Sequence, residues 1–381
     1  MNKNTGSIRS LPVDASLSPF AHGISRRQAI STLASAGILV TSVPFTMRAQ
    51  ASDHHPLVFT WDGYNVPELH VPYSDKYGRS PEFSLFGGLD EAFAKHLSGF
   101  VPDITTPGAE TIERWRDAGI IVPTDTSKLS NWPDLFDGLK TQAPAFENGQ
   151  QWAVPFAWGG SAVVYRPDLA PEYADNPTWD ILWDPKYEGR LSMRDDSTDS
   201  VVTAAIVAGV DDPFNMTDDD IAKCRALLTE QRPLLRYYWS DATSMEQSMA
   251  TGEVVASYGW TSSVSILKSQ GVPVEFMVPK EGMIVWIDFL SICNGATASE
   301  EKMYDYIDSV ISPESGAFLL GEWAVASPNR KAYDLVDLEM IRELGLDNAD
   351  AVTDAGVLLI PFSVESQPKV VAMFDEVKSG F

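Results

Sequence analysis

Histidine is scarce, with five in 381 residues. His22, His54 and His55 precede the first strand-like segment, so only His70 and His96 fall inside the pattern of elements. The chain carries no zinc helix motif, nucleophile elbow, phosphate loop or dinucleotide fingerprint, which sets aside the commonest hydrolase, metalloprotease and nucleotide-dependent classes. An enzyme working with carboxylates alone stays open, since two acids in one cleft need no motif. Cysteine is scarcer still. Cys224 sits in a helical pattern and Cys293 at a strand end, without metal or redox spacing, so two buried thiols are expected and a disulfide is left open. Basic residues number 28 against 53 acids, a formal net charge of −25. Nucleic-acid binding needs a concentrated Lys/Arg surface, which this balance argues against. Cationic ligands would be steered favourably, although the same acidity also serves solubility. Heptads, low-complexity tracts and internal repeats are absent, and the length suits about two to three ordinary domains.

What is present begins with a leader, residues 1–51. Ser25-Arg26-Arg27-Gln28-Ala29-Ile30 resembles a twin-arginine export motif, followed by a modest apolar run to Phe45 and by Ala49-Gln50-Ala51, a small-x-small cleavage signature. The run is too short and too rich in Ser and Thr to span a membrane. Without the leader the chain keeps 23 basic and 52 acidic residues, a net of −29.

The stretch Met277 to Gly295 organises the rest. Pro279 and Gly282 frame a turn, and Met283 to Cys293 reads as a strand whose nearly unbroken apolar run marks burial on both faces. Asp288 interrupts that run. An ionised carboxylate among Trp286, Ile287, Phe289 and Leu290 costs several kcal/mol to bury unless a cation meets it. The cation can be an Arg or Lys of the protein or a bound ligand. Trp286 shares a strand face with Asp288, and an aromatic ring beside a carboxylate is a way to hold an ammonium group.

VPKEGMIVWIDFLSI resembles the segment of the bacterial periplasmic spermidine/putrescine-binding proteins in which an aromatic and an aspartate grip the polyamine. Four more stretches resemble that family: the helix, glycine turn and Asp-x-Ser-Lys-Leu-x-Asn run within Ile112–Asp137; the crossing Trp152–Tyr165 with Pro155 and Gly159-Gly160 as a hinge; the Trp-x-x-Leu-Trp-x-Pro-x-Tyr-x-Gly-x-Leu run within Pro177–Met193; and SPNRKA at Ser327–Ala332. The resemblance covers about residues 57–381. It implies an α/β, two-lobed periplasmic-binding-protein fold of type II character, each lobe a mixed sheet flanked by helices and joined by hinge strands. Lobe 1 would hold residues 57–157 and 289–330, lobe 2 residues 158–288 and 331–381.

The resemblance further implies a non-catalytic solute-binding component of an ABC importer, with no cofactor, working as a monomer in the periplasm with an inner-membrane permease as partner. Its ligand would be a polyamine or related cationic amine. Matching motifs residue by residue gives Trp61, Asp62, Tyr64, Asp196, Asp199, Ser240, Trp260, Trp286 and Asp288 as ligand-binding positions. Asp196 and Asp199 also sit where acids cap helices, and both readings stay open. Trp179, Trp183 and Tyr187 read as packing residues. The chain departs from the family at Gly63, Gly108, Glu110 and Val325, where polar or acidic contacts are usual. No Arg or Lys occupies a carried-over position, which disfavours a ligand needing a partner for its carboxylate, although helix-start N–H groups could hold one. Tyr237-Tyr238 keeps a ferric-ion or other small-solute binder of the same superfamily open. Finally, Leu89, Phe93 and Leu97 mark the apolar face of a helix, and Val101–Pro107 reads as a strand.

Overall fold

The computed structural model describes residues 53–343, 345–347, 349 and 356–380, so the leader assigned to residues 1–51 lies outside the described residues. The strands are β1 (Leu57–Trp61), β2 (Glu82–Phe86), β3 (Ile104–Thr105), β4 (Ile121–Val122), β5 (Phe146–Glu147), β6 (Gln150–Gln151), β7 (Val154–Tyr165), β8 (Leu191–Arg194), β9 (Leu235–Trp239), β10 (Ala256–Trp260), β11 (Glu275–Met277), β12 (Ile284–Cys293) and β13 (Val357–Leu358). Apart from the β5–β6 hairpin they form one mixed sheet in the order β2-β1-β3-β12-β7-β10-β8-β9, with β4 and β13 on β12 and β11 on β7.

The two long central strands are where the sequence is most apolar. All twelve residues of β7 are buried, and in β12 only Trp286 and Asp288 keep appreciable surface. They run antiparallel, and each serves two neighbourhoods: the start of β12 pairs only with β7 and β13, while its last residues pair with β3 and β4. β1, β2 and β3 are parallel on one side, and β8, β9 and β10 are parallel on the other. Two parallel groups therefore aim their strand ends at the middle of the sheet. The ends of strands in such sheets are where ligands commonly sit.

Gly159 and Gly160 have a packing role in addition to any hinge role. A Cβ on Gly159 would lie 2.5 Å from the Trp286 ring, and one on Gly160 would collide with the Met283 sulfur. The register between β12 and β7 shifts between Asp288 and Phe289, which face Ala157 and Pro155. Such a bulge re-aims the side chains beside it.

Two sequence expectations are corrected here. The helix Leu89–Leu97 forms, but Ala92 and His96 are its buried positions and Leu97 is 63% exposed. His96 bonds Thr105 at 3.1 Å and packs edge-on to Phe59 and Trp115, while Phe93 lies under the Arg114 guanidinium. The expected strand Val101–Pro107 contracts to Ile104–Thr105, consistent with a proline at its end that has no N–H to donate. As expected, Trp179, Trp183 and Tyr187 are core: both indole N–H groups donate to backbone carbonyls, of Gly282 and Leu227, at 2.9 Å. The two cysteines are free and buried, Cys224 against the Met216 sulfur at 3.7 Å. The C-terminal helix Gln367–Ser379 packs on the helices Ser197–Val207 and Asp218–Gln231. Among the described residues, no helix is long and apolar enough to cross a membrane.

Candidate functional site

The bulge in β12 leaves Asp288 at the middle of the sheet, bridged through its backbone to Gly108. β1 ends at Trp61, and the following turn returns Tyr64, whose hydroxyl donates to Asp288 Oδ2 at 2.7 Å. The Trp61 indole N–H lies near enough to lower the Asp288 pKa but outside good hydrogen-bonding geometry, and the Trp286 N–H is likewise buried without a partner. Tyr64 is held by the edge of Phe156 at 5.0 Å and by Trp323 at 6.0 Å.

A second group stands at the ends of β8 and β10. Arg194, the last residue of β8, donates to Asp199 Oδ2 at 2.5 Å, and its guanidinium lies 4.9 Å from the centroid of Trp260, the last residue of β10. Asp199 is 3% exposed, and its other oxygen accepts from the Tyr258 hydroxyl at 2.7 Å. Asp196 caps the helix Ser197–Val207, accepting the backbone N–H groups of Thr198 and Asp199. Capping is therefore observed for Asp196, and an internal ion pair for Asp199.

The electrostatics join the two groups. Burial raises the Asp288 pKa to about 6, opposed by the Tyr64 hydrogen bond, the Arg194 charge and the Trp61 N–H. Part of the Asp288 side chain still reaches solvent, but the surrounding protein is dense enough for desolvation to dominate. Burial also raises Glu110, to about 8; its own backbone N–H lowers it, and the charges of Asp288, Asp199 and Asp196 push it further up. Asp199 is raised by burial and pulled back chiefly by Arg194. For Arg194, burial opposes the charged form, but Asp199 and Asp196 outweigh it and hold the guanidinium above its ordinary pKa. Four carboxylates and one guanidinium thus sense one another.

Of the nine positions carried over, the structure brings Trp61, Tyr64, Trp286 and Asp288 together, and joins Asp196, Asp199 and Trp260 to them through Arg194. Asp62 and Ser240 do not join. Both are exposed, and no side-chain hydrogen bond or ring contact among the described residues ties either one to the cluster. Asp62 sits in the turn after β1, and Ser240 precedes a helix whose cap is Asp241. Sequence reasoning did not single out Arg194, which is not a carried-over position but stands beside three of them. It read Glu110 as a departure from the pattern when that residue is a member of the cluster. Trp323, two places before the departure at Val325, was not singled out either and packs on Tyr64. The Tyr pair does not act as a unit: the Tyr237 hydroxyl donates to Ser244 and Ser248, whereas Tyr238 packs on Phe374.

A mixed sheet that gathers acids and aromatics at strand ends is an arrangement suited to holding a small solute. The profile of the bacterial extracellular solute-binding protein family matches residues 91–343, and the chain belongs to that family. It is a binding protein and not an enzyme. It is 24% identical to the putrescine-binding periplasmic protein PotF of Escherichia coli (strain K12) over 333 residues, 83% of this chain and 88% of that protein. Among solved structures, it is similar to the spermidine/putrescine ABC transporter substrate-binding protein PotD from Streptococcus pneumoniae, in complex with calcium and HEPES. The TM-score is 0.72 at 18% identity, over 86% of this chain and 99% of that one. The binding protein MotA from A. tumefaciens B6, in complex with glucopine, gives a TM-score of 0.70 at 18% identity, over 85% and 99%. The two-lobed periplasmic-binding-protein fold is thereby established.

Proposed function

We propose that the protein is the periplasmic ligand-binding component of an ABC importer for a cationic amine, either a polyamine such as spermidine or putrescine or a related amine. The observation that carries this reading is the acid balance at the cluster: Arg194 is taken by Asp199 and Asp196 caps a helix, whereas among the described residues Asp288 and its neighbour Glu110 have no cationic side chain bonded to them, with Trp61 and Trp286 beside Asp288. Buried acids in excess call for a cation, and aromatic faces favour an ammonium. The E. coli relative's name agrees with this choice.

The ligand would bind between lobe 1 (57–157 and 289–330) and lobe 2 (158–288 and 331–381), with β7 and β12 as the hinge strands. The β12 bulge beside Asp288 supports the boundary. Binding would shift an open–closed equilibrium read by the permease, with the protein acting as a monomer. Arg26-Arg27 and Ala49-Gln50-Ala51 support twin-arginine export. A thermal-shift panel of polyamines, simple amines, amino acids and metal ions, followed by calorimetry, tests the reading. A cationic amine should bind saturably, one to one, without product formation. A ferric hit lost in Tyr237→Phe, with no response to amines, would replace it.

A further inference from the structure

We propose that Arg194 occupies one ammonium subsite of the amine cleft from within, so that the site takes amines presenting a single cationic end. The inference rests on the amine reading and narrows it.

Three observations carry it. First, Asp199, one of the ligand-binding positions the resemblance implies, is buried and already engaged on both oxygens: it accepts from Arg194 on one at 2.5 Å and from Tyr258 on the other at 2.7 Å, and is 3% exposed. Second, Trp260, another of those positions, already carries a cation, since the Arg194 guanidinium is 4.9 Å from its centroid, while Trp239 packs edge-on to the same indole at 5.2 Å. Third, Asp196 is committed to its helix, its Oδ1 accepting both N–H groups at the helix start, and its charge acts on Arg194. A planar guanidinium stacked on a ring and bonded to a carboxylate satisfies what a ligand's ammonium would seek there.

The other end differs. Among the described residues, the Asp288 carboxylate has one side-chain hydrogen bond, from Tyr64, and Glu110 has no ion-pair partner. These two acids are neighbours, because Glu110 folds over Gly108, the residue bridged to Asp288. With Glu110 keeping its proton to about 8, this end carries one negative charge at neutral pH and is matched by one ammonium.

The test is calorimetry on the full chain with three ligands of equal carbon length: n-butylamine, 1,4-diaminobutane and 4-aminobutyrate. In the wild type, butylamine and diaminobutane should bind within about threefold of each other, because a second ammonium finds its subsite filled. A diamine preference above about tenfold would overturn the inference while leaving the amine reading intact. A similar preference for 4-aminobutyrate would also overturn it, by showing that Arg194 is free to take a ligand carboxylate. Failure of every amine to bind would sink the amine reading itself. Arg194→Ala should gain at least about tenfold for diaminobutane over butylamine, and millimolar guanidinium should raise its Tm without raising that of the wild type. If this variant does not fold, the wild-type comparison decides alone.

Discussion

Tyr64 and Asp288 stand 224 positions apart in sequence and share a 2.7 Å hydrogen bond at the middle of the sheet. The bond fixes a carboxylate that burial would otherwise protonate, because a hydrogen bond to the charged form favours it. Asp288→Asn should lose about 2–5 kcal/mol of ligand affinity, the usual cost of removing one member of a buried charge pair. Calorimetry checks this, with a melting curve to show that the variant folds. An affinity within about twofold of wild type would make Asp288 structural.

Loss of the Tyr64 hydroxyl acts on the same carboxylate without deleting it. Tyr64→Phe should raise the Asp288 pKa and weaken binding by about 1.5–3 kcal/mol, the worth of a hydrogen bond to a charged group. The difference from wild type should shrink as pH rises well above 6 and Asp288 ionises without help. A pH-independent defect would point to lost packing against Phe156 and Trp323 instead.

The pH dependence of stability has a definite sign. Asp288 and Glu110 have folded-state pKa values raised to about 6 and about 8, so the folded chain holds protons that the unfolded chain has released. Their contribution is fully present below the ordinary carboxylate range and is lost as pH rises through 6 and then 8. The ligand-free protein should therefore lose Tm as pH rises from about 4 to about 8, and Glu110→Gln should remove the part of that fall above about pH 6. Cationic ligand should stabilise more strongly as pH rises over the same range. Identical pH–Tm curves for wild type and Glu110→Gln would refute the assignment of Glu110 to a buried, proton-holding position.

The sequence made the central strands and packing tryptophans legible for a physical reason. β12 is apolar on both faces, so any polar residue in it stands out, and Asp288 was visible without structure. Trp179, Trp183 and Tyr187 fell at packing spacing and packed. Arg194 was hidden because it stands at a strand end, where basic residues are commonly solvated, and only the parallel pairing of β8 with β10 brings it over Trp260. Glu110 was hidden by the opposite route: the pattern it departed from was treated as the site, when a chain can place its own carboxylate there. Helix Leu89–Leu97 misled because its face is chosen by His96 bonding Thr105, a tertiary contact that periodicity does not carry.

Gly108 is the glycine to substitute. Its φ of −80° suits any residue, but a Cβ there would lie 2.5 Å from Glu110 Oε2, at the end of a flexible side chain. Gly108→Ala should therefore fold normally and push the Glu110 carboxylate aside. Its pH–Tm curve and ligand affinity should both move toward those of Glu110→Gln. A variant with wild-type behaviour in both would show that Glu110 has room to remain where it is.

Gly159 sits under a more rigid neighbour. A Cβ at this position meets the Trp286 ring at 2.5 Å, and the surroundings are strand backbone, so the indole must turn away rather than slide. Gly159→Ala should cost about 1–3 kcal/mol of stability, as overpacking of a filled core does. It should also weaken amine binding, because Trp286 shares its strand face with Asp288 and supplies a ring beside that carboxylate. Pairing it with Trp286→Ala separates the two effects. If the indole is the only thing the new methyl disturbs, the double variant should be no less stable than Trp286→Ala alone. An additional loss of stability in the double variant would place the strain in the β7 backbone, and an unchanged amine affinity in Trp286→Ala would leave Trp286 without a part in binding.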